Sequence, residues 1–182
     1  MPDWWRIFFT GLIVDAQRRL NSERQTQEEA DFLVEALAPV PGARIADVPC
    51  GNGRLALALA ARGFALTGVD FTADLLDDAR RSAAERNLQV TFLEGDMREL
   101  PGPAAFDHAF CFGNSFGYFD EAGNRRFLEA VCRALKPGGV AGFVQEEQVA
   151  EFVPAPVESY GSLKREPFQL GSPGLWMIGT RI

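Results

Sequence analysis

One stretch constrains the fold of this chain more than any other: Ile45-Ala46-Asp47-Val48-Pro49-Cys50-Gly51-Asn52-Gly53-Arg54, followed by Val69-Asp70. An apolar run gives way to a glycine-rich turn. A helical segment rich in Ala and Leu follows, and a second apolar run closes on a carboxylate. Strand, turn, helix and strand in that order build a crevice for a nucleoside. Gly51 and Gly53 are expected to remove side chains where a ligand comes near. The helix start offers unpaired N–H groups and a partial positive charge, suited to an anionic ligand group. The Asp70 carboxylate can accept hydrogen bonds from ribose hydroxyls.

Strand and helix patterns alternate along the middle of the chain. Strands are predicted over 43–48, 64–69, 89–93, 106–112 and 140–144, and helices over 53–62, from Thr72 to about 86, and from Asp120 to 135. Lys136-Pro137-Gly138-Gly139 reads as a break, with a glycine suited to a left-handed helix exit. This rhythm predicts an α/β fold, a doubly wound and mostly parallel sheet with helices on both faces. Segments 157–161 and 175–181 read as an antiparallel hairpin on the sheet edge, joined by a turn-rich stretch. Before the first strand, residues 4–20 place Trp5, Phe8, Phe9, Leu12, Ile13 and Ala16 at helical spacing. A second helix is expected to start at Thr26-Gln27-Glu28-Glu29, which fits a capping box. Residues 1–40 thus form a helical cap, 43–145 a binding core and 157–182 a terminal hairpin, all within one domain of 182 residues.

Composition narrows the function classes. The net charge is −7, and the arginine pairs at 18–19, 80–81 and 125–126 sit beside acids in helical patterns. Solvated helix faces, and not a phosphate-binding footprint, are expected there, which disfavours nucleic acid as a partner. No apolar run reaches about 18 residues, so no membrane span is expected. The N-terminus lacks a basic leader followed by an apolar stretch. Cys50, Cys111 and Cys132 are odd in number and widely spaced, suggesting neither a disulfide framework nor a metal site. A reducing cytoplasm is the simplest home.

Gly51-Asn52-Gly53-Arg54-Leu55-Ala56 also matches the dinucleotide fingerprint G-x-G-x-x-A, with Asp70 near the spacing it demands. That motif alone does not separate a nicotinamide dinucleotide from another nucleoside. A nicotinamide-dependent oxidoreductase therefore stands as one alternative, and a non-catalytic nucleoside-binding or interaction module as another.

Four segments taken in order carry a resemblance. They are the turn at Asp47 to Arg54, Thr67-Gly68-Val69-Asp70-Phe71, Glu94-Gly95-Asp96-Met97, and Leu135-Lys136-Pro137-Gly138-Gly139. Together they resemble class I S-adenosylmethionine-dependent methyltransferases over roughly residues 43–145. The resemblance implies a seven-stranded sheet of order 3-2-1-4-5-7-6 with one antiparallel strand. It implies S-adenosylmethionine as cofactor, S-adenosylhomocysteine as product and a small-molecule acceptor. Asp47, Pro49, Cys50, Gly51, Asn52 and Gly53 would pack beside the methionine moiety. Asp70 would hold the ribose hydroxyls and Phe71 would border the adenine. Asp96 would accept from the adenine amino group, with Met97 against the ring. Phe112 to Ser115, Asn114 among them, would line the sulfonium end. Pro49 departs from the glycine usual at its position and offers no N–H. Only residues 146–156 stand where the family usually has a helix and often a substrate-binding insertion.

Methyl transfer needs no catalytic dyad, because the cofactor carries the activated carbon. Asn114 and Glu146 are the polar residues expected nearest the acceptor, with turn former and solvated loop as their plainer roles. His108, the one histidine, reads as structural, and Cys50 as a shaper of the turn. The aromatic N-terminal helix either covers the core or closes over the cofactor.

Overall fold

The computed structural model describes residues 4–145, 157–160 and 175–181. Three N-terminal helices, α1 (Trp4–Phe8), α2 (Leu12–Gln17) and α3 (Glu23–Leu37), precede the alternating core. The core runs β1 (Arg44–Asp47), α4 (Arg54–Ala60), β2 (Ala65–Asp70), α5 (Ala73–Glu85), β3 (Val90–Glu94), β4 (Phe106–Cys111), α6 (Glu121–Ala134) and β5 (Leu135–Gln145). Two further strands, β6 (Val157–Tyr160) and β7 (Leu175–Thr180), complete a seven-stranded sheet of order β3-β2-β1-β4-β5-β7-β6. The first five strands pair in parallel, and β7 runs antiparallel to both β5 and β6. The strand order and edge hairpin agree with expectation.

Side-chain alternation splits the core into two layers. Ile45 and Phe110 face the layer covered by α3, α4 and α5, together with Leu33, Leu57 and Phe92. Ala46, Val48, Ala109 and Cys111 face the α6 layer, with Phe127 and Phe143. Successive residues of β1 and β4 thus serve opposite faces, the period of two that a pleated strand imposes. With helices on both sides, these central strands read as continuous apolar runs and not as alternating ones.

Several expected boundaries move. The helix expected over residues 4–20 is broken at Gly11, whose φ of 51° is left-handed, so α1 and α2 are separate short helices. Helix α3 starts three residues before the expected capping box. Ser22 Oγ accepts the Gln25 N–H at 3.2 Å and satisfies an otherwise unpaired donor. Thr26 then lies inside the helix, buried. Thr72 occupies the N-cap of α5 without a side-chain capping bond, because its hydroxyl is engaged with Asp70. Asp120 does cap α6, accepting the Gly123 N–H at 2.8 Å.

The expected break at Lys136 to Gly139 is instead a bulge inside β5. Leu135 pairs with Phe106 and Val140 with His108, so four residues of β5 loop out against Asp107. Gly138 takes φ 79°, and a Cβ on Gly139 would lie 2.8 Å from the Asp107 carbonyl oxygen. The Gly138 N–H donates to the Arg181 carbonyl at 3.0 Å, and the Arg181 N–H donates to that of Gly139 at 2.8 Å. Lys136 Nζ reaches Asp107 Oδ1 at 2.5 Å. The motif ties the amino end of β4 to the last strand, far from the carboxyl ends. His108 sits between Ile45 and Val140 in the same sheet, half-buried, and burial lowers its pKa.

Candidate functional site

Parallel pairing brings the carboxyl ends of β1, β2, β3 and β4 to one edge. Asp47 stands level with Gly68, and Asp70 with Glu94. Strand order reverses at β1, with β2 on one side and β4 on the other, and ligands of open α/β sheets settle at that point. A cleft opens there, enclosing about 970 Å³ of space with the open solvent at its mouth included.

The turn after β1 and the end of β2 are joined. Asp70 Oδ2 accepts the Gly51 N–H and Oδ1 accepts the Thr72 N–H, each at 2.8 Å. Asp70 is 5% exposed, and burial raises its pKa against the lowering effect of these bonds. Asp47, 2% exposed, has its pKa pushed well up, first by burial and then by the neighbouring Asp70, while Arg54 opposes the rise. Both carboxylates line the cleft, with Pro49, Cys50, Gly51 and Asn52 between them. Burial also raises the Cys50 thiol, so it stays protonated and packs against Gly68, in line with a shaping role.

The two glycines divide the work. Gly51, at φ 53°, lines the cleft, and an added Cβ would meet nothing within 4 Å. Gly53 does not line the cleft. At φ 73° it faces the other way, and an added Cβ would lie 2.8 Å from the Phe92 ring and 2.9 Å from Ala79 Cβ. Gly53 therefore lets α4 dock on β3 and α5, which corrects the expectation that it clears space for ligand.

Phe71 follows Asp70 into the wall, and Gly95, Asp96 and Met97 follow β3. The fourth strand delivers Phe112, Gly113 and Ser115, and Tyr118 and Phe119 come from the loop before α6. Asn114 is not part of the wall. Its φ of 61° makes it a former of the turn after β4, the plainer of its two expected roles. Glu146 lies outside the described residues.

Gln17, Asn21 and Arg54 of the wall escape sequence reasoning. Trp5 and Gln17 reach the cleft from α1 and α2, and Phe9 and Asn21 from the links that follow them. Trp5 packs edge-on against Phe71 (centroids 4.9 Å apart) and Phe119 (5.5 Å), and Phe9 against Phe71 and Tyr118. Rings that cover the end of the sheet thus also border the cleft. Arg54 also lines the cleft. It is held by buried Glu29 of α3 and lies 5.6 Å from the Phe112 ring centroid. Gln25 Nε2 donates to Glu29 Oε1 at 3.1 Å. The Thr26 and Glu29 spacing that suggested a cap marks the face of α3 that meets Arg54.

The strand order and the switch-point cleft are those of the class I S-adenosylmethionine-dependent methyltransferase fold, whose methyl donor is S-adenosylmethionine. The chain belongs to that family: the model of the family described as "Methyltransferase domain" matches residues 45–139. It is 39% identical over 129 residues to a demethylmenaquinone methyltransferase of Thermus thermophilus, covering 69% of this chain and 54% of the relative. It is 37% identical over 131 residues to an S-adenosyl-L-methionine-dependent Diels-Alderase of Talaromyces variabilis, covering 69% of this chain and 44% of that protein. The fold matches a TehB-like SAM-dependent methyltransferase from Corynebacterium glutamicum with a TM-score of 0.70 at 24% identity, covering 85% of this chain and 88% of the other. The chain spans about half the length of the curated relatives it matches. Among the described residues no helix is long and apolar enough to cross a membrane, and no His, Cys, Asp and Glu cluster could hold a metal ion.

Proposed function

We propose that this protein binds S-adenosylmethionine across the carboxyl ends of β1 to β4 and transfers its methyl group to a small-molecule acceptor by in-line displacement. The observation that carries this reading is the convergence of Asp70 and Asp96, from the ends of neighbouring strands, on one cleft with the open backbone of Gly51 between β1 and α4. Asp70 would hold the ribose hydroxyls, and Asp96 with Met97 would meet the adenine. Asp47 and residues 49–52 flank the amino-acid end. The acidic lining suits a cofactor carrying a sulfonium and an ammonium group, since Arg54, the cation of the wall, is balanced by Glu29.

S-adenosylmethionine, when bound, supplies a methyl carbon already activated by sulfonium charge. The chain's own residues align and dehydrate. Trp5, Phe9, Phe71, Phe112 and Phe119 wall the cleft with rings that exclude water. Burial raises the Tyr118 phenol, which is paired with Ser115, so it stays protonated and can donate a hydrogen bond at the acceptor side. A net charge of −7 supports a small molecule over a nucleic acid, and three free cysteines support a reducing cytoplasm. The antiparallel β7 argues against the dinucleotide reading, whose sheet has the order 3-2-1-4-5-6.

Titration calorimetry with S-adenosylhomocysteine and with NADH tests the cofactor, with binding of the first and not the second expected. Release of S-adenosylhomocysteine from S-adenosylmethionine in the presence of a panel of quinols and phenols tests transfer. Binding of NADH alone would reject the reading, and cofactor binding without turnover across a broad panel would favour a non-catalytic module.

A further inference from the structure

Arg98 lies two residues beyond Asp96 and turns back on to it. Its Nε donates to Asp96 Oδ1 at 2.9 Å, its Nη2 to Oδ2 at 2.6 Å, and its backbone N–H to Oδ1 at 2.9 Å. The guanidinium lies in turn against two touching rings, with its carbon 4.2 Å from the Phe119 centroid and 5.5 Å from that of Trp5. Trp5 is 4% exposed and also packs against Phe71, which follows Asp70. A carboxylate gripped at both oxygens by a planar fork does not rotate, and a fork packed against two rings does not swing away. Arg98 is thus the link between the first helix of the chain and the carboxylate at the end of the third strand.

We propose that Arg98 is a positioning residue for base recognition, fixing Asp96 as a hydrogen-bond acceptor toward the exocyclic amino group of adenine, with Trp5 holding Arg98 in place. This rests on the cofactor reading above. A fixed carboxylate offers acceptors only. An adenine amino group can donate to it, whereas the carbonyl oxygen of hypoxanthine at the same place meets it lone pair to lone pair. A carboxylate free to turn away would separate the two bases poorly.

The test compares the affinity of S-adenosylhomocysteine with that of S-inosylhomocysteine, its deaminated counterpart, by calorimetry on the full chain. The unmodified protein should prefer the adenosyl form by about tenfold to a hundredfold, as expected for a hydrogen bond to a charged group. Arg98→Ala should reduce that preference to within about threefold, mostly by weakening the adenosyl form. Arg98→Lys keeps the charge but not the fork, so it should also narrow the preference by at least about threefold. Trp5→Leu should narrow it in the same direction. Equal weakening of both ligands in the Arg98 variants would show a merely structural role and overturn the proposal, as would a full preference in Arg98→Lys. If Arg98→Ala does not fold, the lysine variant decides. An unmodified protein that binds S-adenosylhomocysteine without preference rejects this inference alone, whereas one that binds neither ligand rejects the cofactor reading.

Discussion

The Gly51 amide donates to Asp70 Oδ2 across 2.8 Å, so the turn after the first strand and the carboxylate ending the second are one hydrogen-bonded unit. Gly51 can present its amide because its backbone is left-handed, at φ 53°. The bond sets the floor of the cleft before any ligand arrives.

Replacing Asp70 should therefore damage binding in two ways, by removing the proposed ribose partner and by releasing the turn. Asp70→Ala is expected to weaken S-adenosylhomocysteine by about ten- to a hundredfold, the scale of hydrogen bonds to a charged group. Calorimetry measures it, and an unchanged affinity would remove Asp70 from the site.

The two turn glycines should separate stability from binding. Gly53→Ala drives a methyl group into Phe92 and Ala79 and adds left-handed strain, together costing about 2–4 kcal/mol in urea unfolding. Gly51→Ala meets no neighbour and should cost only about 1–2 kcal/mol from its backbone conformation. Its larger effect should be on S-adenosylhomocysteine affinity. Equal stability losses in the two variants would contradict this division.

Asp47 should make the protein less stable as pH rises. Burial lifts its pKa in the folded state, so the folded chain holds the proton more tightly than the unfolded chain. Its contribution to stability is greatest below the ordinary carboxylate range, near pH 4, and declines as pH rises through the lifted value. Asp47→Asn keeps an acceptor for the Ala56 N–H and removes the charge. The variant should be the more stable protein at pH 7–8 (about 298 K), with the gain shrinking toward pH 4. Urea unfolding across that range checks the sign, and a loss of stability at neutral pH would refute it.

Asp107 should show the opposite slope. Lys136 and the Arg44 N–H hold its pKa below the usual carboxylate value, so its contribution is present above about pH 4 and lost as pH falls through the depressed value. The side chains are partly exposed, which limits the effect of Asp107→Asn to about 1 kcal/mol or less at neutral pH. A destabilisation that persists unchanged at pH 2–3 would point to the lost Arg44 contact and not to charge.

Much of this protein is written in short-range pattern. The apolar run to Asp47, the turn at Gly51 and the second run to Asp70 specify strand, turn, helix and strand, because strand period and glycine stereochemistry act over a few residues. The Asp120 cap and the edge hairpin are legible for the same reason. Local pattern failed where two local solutions competed. Ser22 took the cap that Thr26 also suited, and Gly11 broke an amphipathic stretch that reads as one helix. What only the tertiary structure decided is which distant side chains meet. Gly53 answers to Phe92 and Ala79, Arg54 to Glu29, and Arg98 to Trp5 and Phe119. Those partners lie some 20 to 90 positions away along the chain, and no spacing rule reaches that far. Packing of the helices on the sheet brings them together, so the local motifs are set by sequence pattern, and the walls of the cleft by the way the layers close.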